Sequence, residues 1–142
     1  MRRILVGLDS SPRSKDVLTA AIDLAQRTGA KLRLLRAVGI PPELPANVWA
    51  FSPAQLTETF LATATRELEE ASVEVPSELR DGISVQVGVP WEAICRTARE
   101  YDADLIVIGS HGYGLIDRLV GMTAAKVVNH ADRSVYVARA RA

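Results

Sequence analysis

Three glycines stand close together in "IGSHGYG", residues 108–114: Gly109, Gly112 and Gly114. Glycine reaches positive φ at no steric cost and leaves neighbouring backbone N–H groups unshielded. An apolar run, "LIVIG", leads into this segment and a helical pattern follows it. The first N–H groups of a helix, and its dipole, favour an anion, so the chemistry on offer is phosphate binding. A tight strand-to-helix corner needs glycine too, and the loop taken alone leaves both readings open. Near the N-terminus, "GLDSS" (7–11) ends a second apolar run with one carboxylate, Asp9. Its simplest role is to cap the helix that follows.

Strands and helices must position these groups. "RILVGLD" (3–9), "KLRLLRAV" (31–38), "ISVQVGV" (83–89), "ADLIVIGS" (103–110) and "SVYVARA" (134–140) read as strands. The first and fourth are almost continuously apolar, as in central parallel strands covered on both faces. The second and third alternate more, which suits positions nearer an edge. Ser11-Pro12 signals a helix start, and Val17, Ala21, Leu24 and Ala25 repeat at helical spacing as far as Gly29. Leu56, Phe60, Ala64, Leu68 and Ala71 form a second stripe. Pro90 opens a third helix that turns Trp91, Ile94, Ala98 and Tyr101 inward; Leu115, Leu119, Met122 and either Val127 or Val128 belong to a fourth. Such alternation predicts a single domain over residues 1–142, an α/β three-layer sandwich on a five-stranded parallel sheet. The connection "GIPPELPANVWAFSPA" (39–54) is long for such a fold. Its Trp49 and Phe51 either tuck into the core or serve a pocket or partner.

In an open parallel sheet, ligands bind beyond the carboxyl ends of the strands, where neighbouring crossovers diverge to opposite faces. If the first and fourth strands are adjacent, "GLDSS" and "IGSHGYG" frame that crevice. Composition narrows the classes. Seventeen basic residues balance seventeen acidic ones among 142, with 48% apolar and 24% charged, so no nucleic-acid or membrane-surface partner is expected. No run approaches the roughly 20 apolar residues of a membrane span. The one cysteine, Cys95, reads as a core residue and fits a reducing, cytoplasmic setting. Ser110 and His111 are adjacent on a turn, without a G-x-S-x-G elbow, and do not read as nucleophile and base. His130 has no second ligand at metal spacing.

Through "ILVGLDSSPRS" near the start and "ADLIVIGSHGYGLIDRLVGMTAAKVVNHADRSVYVAR" at the end, the chain resembles the universal stress protein family over essentially its whole length. The resemblance implies a flavodoxin-like sandwich with strand order 3-2-1-4-5 and dimers paired through the last strand. In one branch it implies ATP in the crevice. That branch carries Gly-x2-Gly-x9-Gly-Ser/Thr; another lacks the glycines and does not bind ATP. Gly109 and Gly112 match the first two glycines. Eight residues, not nine, separate Gly112 from Gly121, so Gly121 becomes the third glycine only with a one-residue gap. Met122 then stands where a hydroxyl is expected, with Thr123 next. The gapped match is preferred because it preserves the apolar stripe of the fourth helix.

By the same resemblance Asp9 lies near the nucleoside, accepting hydrogen bonds from sugar hydroxyls or base. Gly7 and Leu8 line the base pocket, and Ala37 offers backbone groups to adenine with Val38 beside it. Ile108 borders the phosphate loop, and His111 donates to a phosphate. The expected function is a regulatory protein that binds ATP (or ADP or AMP), with magnesium allowed through the phosphates and with little or no turnover. Nucleotide would act on an unidentified protein partner, with the 39–54 loop as one route. A nucleotide-free interaction module of the same family and an ATP-dependent adenylating enzyme are the alternatives. The last strand, with Val135 and Val137 on one face and Tyr136 on the other, is expected to pair with a second copy.

Overall fold

Ile4, Leu5 and Val6 are wholly shielded from solvent, as are Ile106 and Val107. Strands this apolar on both faces need a layer of helices above and below. The computed structural model describes residues 1–39, 53–110 and 121–139. Strand β1 (Arg3–Gly7) pairs in parallel with β2 (Lys31–Val38) on one side and β4 (Leu105–Gly109) on the other. β3 (Arg80–Val87) adjoins β2, and β5 (Ser134–Ala138) adjoins β4. The sheet order is β3-β2-β1-β4-β5, the 3-2-1-4-5 arrangement that the resemblance implied.

Helices α1 (Ser14–Thr28) and α2 (Pro53–Ser72) cover one face; α3 (Pro90–Tyr101) and α4 (Met122–His130) cover the other. On the first face Ile4, Val6, Leu32, Leu34 and Val107 meet Val17, Ala21, Ala25 and Leu68. On the second, Leu5, Leu35, Ile106 and Ile108 meet Ile94, Cys95, Ala98, Ala124 and Val127. Each large aliphatic side chain so buried contributes about 1.5–3 kcal/mol relative to exposure. Gly29 ends α1 in the left-handed conformation at φ 75° and ψ 11°, donating its N–H to the Ala25 carbonyl. Gly82 (φ 91°) lies where the β2–β3 register skips, a bulge at which Asp81 and Gly82 together oppose Arg33.

Two expectations about helix starts are corrected. Ser11-Pro12 does not cap α1, which begins at Ser14 behind Arg13; Ser11 instead donates its N–H to the Asp9 carboxylate in the preceding turn. The fourth helix does not follow directly on the glycines, because α4 starts at Met122. Gly121, at φ −63° and ψ 164°, is extended, and an extended residue interrupts the ladder that a continuous helix from Leu115 would need. Met122 therefore leaves the apolar stripe and stands 78% exposed. Ala124 and Val127 face inward, whereas Val128 is exposed. The expectations for Trp49, Phe51, His111, Gly112, Gly114, Leu115 and Leu119 lie outside the described residues.

Charges are tied together at the amino ends of the strands. Asp104 Oδ2 accepts the N–H groups of Arg2 at 2.6 Å and Arg3 at 2.9 Å. Arg133 donates through Nη1 to the carbonyls of Ala98 (2.8 Å) and Ala103 (2.9 Å), neutralising the C-terminal end of α3. The Tyr101 hydroxyl donates to Asp81 Oδ2 at 2.5 Å beneath the Arg33 guanidinium, 4.5 Å from the ring centre. Burial, and then the bond to Asp81, pushes the Tyr101 phenol well above its usual 10.

Two measurements check this reading. Val127→Ala removes two buried methyl groups and is expected to cost about 2 kcal/mol in urea unfolding, whereas Val128→Ala costs under about 0.5 kcal/mol. The Arg2 and Arg3 N–H groups hold the Asp104 carboxyl below its ordinary 3.8. A depressed carboxylate stabilises the fold above its unfolded value and loses that contribution as pH falls through the folded one. Asp104→Asn is therefore expected to melt below the wild type at neutral pH, with the gap closing as pH drops below 3.8.

Candidate functional site

β1 and β4 are hydrogen-bonded neighbours, yet the helices that follow them pack on opposite faces of the sheet. Their carboxyl ends therefore open into the one crevice that the sheet order dictates. Gly7 ends β1 over the other face's core: a Cβ there would come within 3.1 Å of Ile108 Cγ2 and 3.4 Å of Ile94 Cδ1. Close approach of packed side chains is enough to explain that glycine. Leu8 donates its N–H to the Leu35 carbonyl at 2.9 Å and is buried in the core beneath α1.

Asp9 is exposed and organises the turn into α1. Its N–H donates to Ser14 Oγ at 3.1 Å, and Ser14 Oγ lies 2.8 Å from the Asp9 carbonyl and 2.9 Å from Asp9 Oδ1. The same Oδ1 accepts the Ser11 N–H at 2.9 Å. Ser14 is a residue that sequence reading missed. Its signal was present in retrospect, since the first residue of a helix near an Asx turn commonly bonds back.

The pleat decides what β2 presents. Leu35 turns its carbonyl toward β1, where Leu8 meets it, and Val38 turns its carbonyl toward Gly88 beyond β3. Backbone groups alternate along a strand. Ala37 therefore directs both its N–H and its C=O to the β1 side, beyond Gly7, the last strand residue there. One backbone donor and one acceptor side by side make a hydrogen-bonding edge. Val38 turns its side chain to the α2 face, as Arg36 does in pairing with Glu67 of that helix.

At the end of β4, Ile108 is buried in the α3–α4 core, and by the pleat its backbone groups belong to the ladder with β5. Gly109 pairs with Ala138, and Ser110, itself buried, donates its N–H to the Ala138 carbonyl at 3.1 Å. The Ser110 carbonyl then accepts the N–H of Gly121 at 3.0 Å. This bond pins together the two ends of the 111–120 segment and seats the first turn of α4 against the end of β4. The first bond of that helix runs from the Ala125 N–H to the Gly121 carbonyl at 2.9 Å. The N–H groups of Met122, Thr123 and Ala124 thus precede the ladder and point out of the helix's N-terminus, where an anion is favoured. The stripe argument for Gly121 falls away; its place is the cap.

The carboxyl-end rim accordingly holds Gly7 at the end of β1 with Leu8 and Asp9 just after it, Ala37 and Val38 at the end of β2, Ile108 and Gly109 at the end of β4, and Gly121 capping α4 with Met122 and Thr123 in its first turn. The Leu8 and Ile108 side chains lie in the core. His111 and Gly112 lie outside the described residues. Cys95 is buried between α3 and the sheet with its thiol pushed up by burial, away from this chemistry. His130 stacks on Trp91, ring centres 4.5 Å apart, and its Nδ1 lies 2.8 Å from the Lys126 carbonyl. Among the described residues no group of three or more His, Cys, Asp or Glu side chains could hold a metal ion, and no helix is long and apolar enough to cross a membrane.

The chain is similar in sequence and fold to known proteins over nearly its whole length. "Universal stress protein A homolog 1" of Coxiella burnetii is 30% identical over 143 residues, covering 94% of this chain and 93% of that protein. The solved universal stress protein UspA of Lactobacillus plantarum superposes with a TM-score of 0.81 at 29% identity, covering 97% of each chain. A universal stress protein solved in complex with cAMP superposes with a TM-score of 0.65 at 26% identity, covering 97% of this chain and 96% of its own. The model of the universal stress protein family matches residues 1–139. The chain is a member of the universal stress protein family.

Proposed function

We propose that this chain is a regulatory protein of the reducing cytoplasm that binds an adenine nucleotide, ATP foremost, at the carboxyl ends of β1 and β4. The observation that carries the reading is a pair of complementary backbone features in one crevice. The first turn of α4, held by the Gly121–Ser110 bond, offers N–H groups for phosphate oxygens. The outward N–H and C=O of Ala37 match the acceptor and donor on the Watson–Crick edge of adenine. Asp9 lies between them for ribose hydroxyls, or for a magnesium ion carried by the phosphates. The cAMP-bound relative supports adenine nucleotide as the ligand class.

The same geometry supports the reading of binding without efficient turnover. Asp9 Oδ1 is already engaged by Ser11 and Ser14, and a carboxylate so occupied is a poor general base. Nucleotide then works by stabilising one state of the crevice and its loops for a partner protein to read.

The second copy of the chain is proposed to dock on β5, an outer strand of the sheet. Ala138 turns its carbonyl toward Ser110, so by the pleat Val135 and Val137 turn their N–H and C=O groups to the free edge. Their side chains pack on the α3–α4 core while Tyr136 is exposed on the other face.

The first test is to denature the purified protein, identify any released nucleotide, and titrate the stripped protein with ATP by calorimetry. The expected result is binding in the micromolar range that Gly112→Val abolishes. No released nucleotide and no heat at millimolar ATP would instead leave the dimer surface as the functional part. For the dimer, Val137→Pro deletes an outward donor. Its mass by light scattering is expected to fall to that of a monomer, and an unchanged dimer would sink the β5 assignment.

A further inference from the structure

The chain holds three sulfur atoms, in Met1, Cys95 and Met122. Cys95 is buried, with its thiol pushed up by desolvation and so poor in reactive thiolate. Met122 is the opposite case. At 78% exposure it is the most exposed large apolar side chain among the described residues, and it opens the first turn of α4. Gly121, buried immediately before it, is fixed to Ser110, so the backbone beneath Met122 is held while the thioether stands in solvent. Packing does not account for an exposed methionine there, and the cap position is already taken by Gly121.

We propose that Met122 is a site of reversible oxidation by hydroperoxides, and that its sulfoxide weakens nucleotide binding at the first turn of α4. The thioether sulfur attacks one peroxide oxygen. The S–O bond forms as the O–O bond breaks, the sulfur loses two electrons, and the peroxide leaves as water or an alcohol after taking up the proton. A sulfoxide reductase using a dithiol reverses the step. The sulfoxide oxygen is a strong acceptor on a chain with three rotatable bonds, which allows it to fold back on the N–H groups of Thr123 and Ala124. It then competes with phosphate for the donors that make this turn an anion site. Oxidant and nucleotide thereby act in opposition on one helix terminus. This inference rests on the nucleotide-binding reading above.

The test treats purified protein with hydrogen peroxide, locates added oxygen by peptide mass spectrometry, and titrates ATP by calorimetry before and after. Oxidation is expected at Met122 ahead of Cys95, with Kd for ATP rising roughly fivefold or more. Methionine sulfoxide reductase with dithiol is expected to restore both mass and affinity. Met122→Leu, whatever its starting Kd, is expected to lose no further affinity under the same peroxide. Protein fully oxidised at Met122 that binds ATP as before overturns the proposal, as does a Met122→Leu variant that weakens in parallel with the wild type. Untreated protein that binds no ATP fails the nucleotide reading itself and takes this proposal with it, an outcome distinct from either of those.

Discussion

Along Ile4–Val6 and Leu105–Val107 two parallel strands meet with apolar side chains on both faces, and their ladder brings two distant stretches of chain to one rim of the sheet. Gly7–Asp9 and Gly109–Ser110 are about a hundred residues apart in sequence. They share a crevice only because β1 and β4 are adjacent while α1 and α4 pack on opposite faces. The α/β architecture supplies this opening whether or not a ligand uses it. What occupies it is decided by small local features: a pinned helix start at Gly121, a carboxylate held in a turn at Asp9, and a strand end at Ala37 that runs beyond its neighbour.

The two ends of the sheet are built differently. At the amino ends, Asp104, Arg133 and the Tyr101–Asp81 pair use their polar groups on backbone or on one another. Such groups stabilise by satisfying donors and acceptors that the strand and helix ends would otherwise leave bare. At the carboxyl ends, Gly7, Gly109 and Gly121 bring no side chain, and beside the Asp9 carboxylate the rim is mostly backbone. A site made of backbone also tolerates departures at side-chain positions. Met122 in place of a hydroxyl alters what surrounds the first turn of α4 without removing its backbone N–H groups.

Much of this was legible in the residues. Continuous apolar runs placed β1 and β4 at the centre, and the boundaries of β2 were read to the residue. Gly29 and Pro90 marked the end of α1 and the start of α3 because a left-handed cap and an N1 proline have narrow backbone requirements. The misreadings occurred where local signals compete. Ser11-Pro12 has the composition of a helix start, but the Asp9 carboxylate recruits the Ser11 N–H into a turn first. Met122 fits a helical stripe by spacing, but spacing says nothing about an extended glycine at 121 just before it. β3 begins at Arg80, earlier than its apolar run, since a bulge at Gly82 lets polar residues join the ladder.

The sequence by itself determined the element types, the parallel two-faced sheet and the family. The first two depend on periodicity, and on glycine and proline requirements that a few neighbouring residues satisfy among themselves; the family was legible through the resemblance of the first and last motifs. It also held the choice between Val127 and Val128 open, since both fit a helical stripe. Only the tertiary structure decided which valine faces the core, that Met122 stands in solvent, and that Ser110 joins the start of α4 to the end of β5. The physical reason is that these outcomes depend on contacts between segments far apart in the chain. The bond from Gly121 to Ser110 closes a loop and the bond from Ser110 to Ala138 crosses to another strand, and neither leaves a trace in local composition.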